Sequence, residues 1–150
     1  MAEPIRLSKK CRYGLRAIFE LSLRQTADPV KIQDIASAQA IPQRFLEIIL
    51  AELKQGGFVE SRRGSKGGYM LARSADYLTV GEVINFFQGD NIKGNDTNNN
   101  GWNLRGDYVF TKLWKEVSDA ISGVYSTTTF AEMVQEELSQ SHVYVANYAI

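Results

Sequence analysis

The sequence predicts a mainly α-helical chain with one small β-hairpin, and three features lead there. Apolar residues recur at three- and four-residue steps in separate blocks through Leu53. The stretch SRRGSKGGYML, Ser61 to Leu71, sets three cationic residues and three glycines beside short β-prone runs. Further on, Phe110, Leu113, Trp114, Val117, Ile121 and Val124 form one long helical stripe.

Taken in order, Lys9 to Gln25 reads as a first helix. Cys11, Leu15, Ile18 and Ser22 form one row of it, and Tyr13, Ala17 and Leu21 the next. Asp28-Pro29 breaks the chain. Val30 to Ile32 suits a short strand, and Ile32, Ile35 and Ala36 suit a two-turn helix. In AIPQRFLEIILAELKQGG, Pro42 suits a first helical turn and Gly56-Gly57 a C-terminal stop. Phe45, Leu46, Ile49, Leu50 and Leu53 are expected to form its buried stripe, with Gln43, Arg44, Glu47 and Lys54 on the other side. Phe58 to Arg62 and Tyr69 to Ala72 read as strands joined by the loop Arg63 to Gly68. Thr79 and Glu82 have capping-box spacing and open a helix through Phe87. GDNIKGNDTNNNG, Gly89 to Gly101, is too rich in Asn, Asp and Gly for core and reads as a mobile loop or functional insertion. The Phe110–Val124 helix follows. A second capping box, Thr129 to Glu132, opens a helix toward Ser139.

A chain of 150 residues with 44% hydrophobic content has enough for a real core. No apolar run approaches the ~20 residues of a membrane span. MAEPIRLSKK lacks a signal-peptide core, and a single cysteine, Cys11, excludes an internal disulfide, so a reducing cytoplasm is the expected location. His142 is the only histidine, so a Cys/His metal site would need unusual ligands or several chains, and no cofactor is expected. With one His, one Cys and no acid pair at a recognisable spacing, an enzyme is not expected. The net charge of +0 hides an asymmetry: residues 1–76 carry 13 Lys and Arg against 8 Asp and Glu, and residues 77–150 carry 4 against 9. A basic half suggests a polyanionic partner.

Helix, short helix, turn, helix, hairpin is the order of a winged helix-turn-helix. In that fold the later helix offers its first polar residues to base edges in the major groove, which here are Gln43 and Arg44. The hairpin tip lies against phosphates, where cations bind and glycine permits close approach. Singly, each feature has a plainer reading: a solvated Arg44, a glycine turn, an ordinary helix start. A phosphate loop is disfavoured, because SRRGSKGG lacks the GxxxxGK[ST] spacing and no βαβ pattern surrounds it. The expected organisation is a winged helix-turn-helix over residues 1–88, a flexible loop over 89–106, and a long helix with a C-terminal segment over 107–150.

LSKKCRYGLRAIFEL, DIASAQAIPQRFLEIILAELKQGGFVESRRGSKGGYMLAR and YLTVGEVI together resemble the Rrf-two (IscR/BadM-type) family of bacterial transcription regulators, from Leu7 to about Phe87. The likeness weakens over Tyr108 to Leu138. The resemblance implies a homodimer bound to operator double-stranded DNA. It implies phosphate contacts from Lys9, Lys10, Arg12 and Tyr13, base readout by Gln43 and Arg44, and a wing contact from Arg62, Arg63, Ser65, Lys66 and Gly67. The dimer would form on the long helix, through Phe110, Leu113, Trp114, Val117, Ile121 and Val124.

Many members of that family hold an iron–sulfur cluster on three cysteines before the long helix. NIKGNDTNNNGWNLRGDY has neither cysteine nor histidine, so cluster sensing does not carry over. Cys11 is expected to be a buried, inert thiol. A metabolite or a partner protein is the alternative kind of effector. The leading expectation is a DNA-binding regulator, more a repressor than an activator. The competing one is a winged helix that works by binding another protein, which the neutral overall charge favours slightly.

Overall fold

A computed structural model describes residues 6–24, 27–89 and 104–148, with side chains as far as Ser141. The elements run α1 (Lys9–Arg24), α2 (Ile32–Gln39), α3 (Gln43–Gln55), β1 (Val59–Arg62), β2 (Gly68–Leu71), α4 (Val80–Gln88), α5 (Asp107–Thr127) and α6 (Phe130–Tyr148). The asparagine-rich segment and Trp102 lie almost wholly outside the described residues.

α1 is the central strut, packed by α2, α3, α4 and α6. Its buried line is Cys11, Gly14, Ala17, Ile18, Leu21 and Ser22. Leu15 and Tyr13, expected in the same rows, are only half-buried. Glu20 is buried too, and its carboxylate is satisfied twice: Arg24 Nε donates at 3.0 Å and Gln39 Nε2 at 2.8 Å, tying α1 to the end of α2. A buried charge with two donors avoids the large penalty of an unpaired one.

α3 contributes Leu46, Ile49, Leu50 and Leu53, all essentially inaccessible. Phe45 does not join them and stays 55% exposed. A helix turns ~100° per residue, so Phe45 falls roughly a quarter-turn from the centre of that stripe. It is instead a neighbour of Tyr13 on α1, with ring centroids 6.4 Å apart.

β1 and β2 pair antiparallel, Val59 opposite Leu71 and Arg62 opposite Gly68. The strand expected at 30–32 shrinks to one residue: Val30 and Tyr69 exchange both amide–carbonyl bonds at 2.8 Å. Lys31 is already the N-cap of α2, and Ile32 its first residue, so extended backbone cannot continue.

Both capping boxes form. The Thr79 hydroxyl accepts from the Glu82 amide at 3.2 Å, and the Glu82 carboxylate accepts from the Thr79 amide at 3.0 Å. At α6 the Glu132 amide donates to the Thr129 hydroxyl at 3.2 Å, with the return bond from the Thr129 amide at 3.4 Å. The two caps are stitched together: Val80 N–H donates to Thr128 C=O at 2.9 Å, and Phe130 N–H to Leu78 C=O at 3.0 Å. This plants Phe130 and Val134 in the core and lays α6 against α1. α6 continues to Tyr148, well past Ser139. Among the described residues no helix is long and apolar enough to cross a membrane.

Candidate nucleic-acid interface

The turn between α2 and α3 runs through Ala40, at φ 52°, and the Ile41 amide donates to Ala36 C=O at 3.0 Å. That geometry sets α3 on the outside of the body, held at both edges. On one edge, Lys10 of α1 meets Glu52 at 3.0 Å. On the other, Lys54 Nζ donates to the Ser61 hydroxyl of β1 at 2.6 Å. Between these anchors Gln43, Arg44, Glu47, Ile48 and Ala51 are exposed.

The structure brings the expected residues to three neighbouring places. Lys9, Lys10 and Arg12 are exposed at the start of α1, and Tyr13 is half-buried beside them. Lys10 spends part of its charge on Glu52, so it is a weaker anion ligand than its position in sequence suggests. Gln43 and Arg44 are exposed in the first turn of α3. Arg62, Arg63, Ser65 and Lys66 are exposed on the hairpin, while Gly67 is half-buried.

The wing glycines have a reason that sequence alone does not supply. A Cβ on Gly67 would overlap the Arg62 carbonyl, and one on Gly68 would overlap the Val30 carbonyl. The missing Cβ atoms therefore let the hairpin close and dock on Val30. Only at Gly64, with φ 107° and open space around it, is the glycine explained by backbone conformation alone.

A second surface lies on α5. None of its 21 residues is buried. Phe110, Leu113, Trp114, Val117 and Val124 are exposed and Ile121 half-exposed, with Phe110 stacked on Trp114 at 6.2 Å. Tyr108 and Val109 are exposed too, but at ~100° per residue Tyr108 falls on the opposite side of the helix from this stripe and Val109 outside its edge.

A thiolate-held iron cluster needs several cysteines within reach of one another. Cys11 is fully inaccessible inside α1, and the chain has no second cysteine. Among the described residues, no three His, Cys, Asp or Glu side chains are grouped to hold a metal. These residues do not fit such a cluster.

A helix-turn-helix with its second helix outward, a cationic hairpin on one side and a cationic helix start on the other, is the architecture of a winged-helix DNA-binding protein. The chain belongs to the Rrf2 (Rrf-two) family, described as iron-dependent transcriptional regulator, whose pattern matches residues 7–136. It is 33% identical over 134 residues to the HTH-type transcriptional regulator IscR of Escherichia coli, covering 89% of this chain and 82% of that one. Its fold is similar to that of CymR, the global cysteine regulator of B. subtilis, with TM-score 0.77 and 27% identity over 88% of this chain and 98% of the other. It is also similar to T. potens IscR, with TM-score 0.72 and 29% identity over 89% of each. The chain is thus a DNA-binding transcription regulator, not an enzyme.

Proposed function

We propose that this protein is a homodimeric, sequence-specific repressor that acts without an iron–sulfur cluster. DNA is bound through residues 1–88, and two chains pair through α5. The observation that carries the DNA reading is the outward face of α3, bracketed by the Lys10–Glu52 and Lys54–Ser61 contacts and flanked by cations on both sides. Gln43 and Arg44 read base edges in the major groove. Lys9, Lys10, Arg12 and Tyr13 on one side, and Arg62, Arg63, Ser65, Lys66 and Gly67 on the other, hold the phosphate backbones. The apolar face of α5 supports the pairing, since a two-fold axis lets the same stripe cover itself. With one buried thiol in place of a ligand set, a small molecule or partner protein is the fitting effector class.

The test is fluorescence anisotropy with DNA from the gene's own upstream region and with random DNA, across salt concentrations. Arg44→Ala should cost about 1–3 kcal/mol on the preferred site and little on random DNA. Lys66→Ala should weaken both and flatten the salt slope by about one. Equal losses for Arg44→Ala on both DNAs would remove it from base readout. Affinity that ignores salt would sink the DNA reading and leave a protein-binding winged helix.

A further inference from the structure

Two large apolar side chains stand in water on α3, Phe45 and Ile48, each 55% exposed. Phe45 neighbours Tyr13, its ring centroid 6.4 Å away. Ile48 is placed differently. At ~100° per residue, Arg44, Ile48 and Ala51 fall within about 60° of one another, centred opposite the Leu46, Ile49, Leu50 and Leu53 core line. They form the outermost line of the helix. Glu52, bonded to Lys10, marks one edge of that face, and Lys54, bonded to Ser61, the other.

We infer that Ile48 is a specificity-determining residue that packs against the 5-methyl group of a thymine in the major groove. The inference rests on the reading that α3 enters that groove. The thymine methyl is the apolar group that the bases present there, and an aliphatic side chain is its natural partner. Ile48 is flanked on its outward line by Arg44 and Ala51, with Glu47 and Gln55 also exposed. Apart from the small Ala51 and from Phe45 three residues back, which neighbours Tyr13, the exposed residues around Ile48 are polar, and so small an apolar spot matches a lone methyl better than it matches the contiguous apolar core of a protein interface. Four residues of helix rise about 6 Å. That is roughly two base steps of ~3.4 Å, so the thymine lies about two base pairs from the base that Arg44 contacts. Ala51, three residues on, is short enough to let the groove floor approach.

The experiment selects preferred duplexes from random sequence with the full-length protein. Each thymine of the selected site is then replaced, one at a time, by deoxyuridine, which removes the methyl alone. One position per half-site should lose about fourfold in affinity, the worth of one buried methyl-sized group. That loss should vanish in Ile48→Ala, while the salt slope stays unchanged. Ile48→Gln should shift the preference at the same position from thymine toward adenine, which glutamine can contact bidentately. A selected site at which no uracil penalty depends on Ile48 overturns this assignment alone. If no sequence is selected and binding shows no salt dependence, the DNA-binding reading falls and the inference falls with it.

Discussion

α3 and α5 are both amphipathic, yet they end in opposite circumstances. The apolar line of α3 is sealed: Leu46, Leu50 and Leu53 are at 0% exposure and Ile49 at 1%. In α5, Trp114 remains 52% exposed, and no residue of the helix is buried. Periodicity reports that a helix has an apolar face; it does not report what covers that face. α3 finds its cover in α1 and β1 of the same chain. α5 rests one side on α4, and among the described residues its apolar stripe stays exposed.

Three measurements can break or sharpen this contrast. The largest effect is expected from Leu50→Ala, which should cost about 2–5 kcal/mol in denaturant unfolding, because it opens a cavity in a sealed core. That loss should not depend on protein concentration. A cost under about 1 kcal/mol would mean that α3 is not sealed as described. Next comes Trp114→Ala. An aromatic near the middle of an interface is worth about 2 kcal/mol, so the dimer dissociation constant should rise roughly thirtyfold in sedimentation equilibrium. A wild-type chain that stays monomeric at high concentration would end the reading of α5 as a self-covering face.

The smallest effect concerns the cap that starts α4. The Glu82 carboxyl is held below the ordinary glutamate range, first by the hydrogen bond from the Thr79 amide and also by the Arg73 guanidinium at 3.3 Å. Folding lowers this pKa, so the folded state binds fewer protons there. The contribution is therefore complete above the unfolded value of about 4.3 and is lost as pH falls below it through the folded pKa. Glu82→Gln should cost under about 1 kcal/mol at neutral pH, with the gap to wild type closing in acid. A gap that does not change with pH would show that the carboxylate charge plays no part in the cap.

Much of the fold was legible along the chain. Both capping boxes, the helix order and the hairpin follow from residues within a few positions of one another, and all of them formed. Two expectations fail, for different reasons. The spacing puts Phe45 on the core stripe of α3, but its angle to the packed line turns it outward, as Ile48's does. Val30 to Ile32 looked like a strand because β-branched residues favour one, but α2 begins at Ile32. For the interface, the basic residues were legible as charge. Their pairing was not: Lys10 is opposed by Glu52, 42 positions away.

The sequence by itself determined the element order, the two threonine caps, the basic wing, and a single thiol too few to ligate a cluster. Each of these is composition or an interaction between near neighbours in the chain. Only the tertiary structure decided that Gly68 must lack a Cβ because Val30 lies against it, that Phe130 is core, and that Ile48 faces outward between two anchored edges. Hydrogen-bonded turns and caps close within about four residues, whereas burial and steric exclusion are set by segments that meet only when the chain has folded.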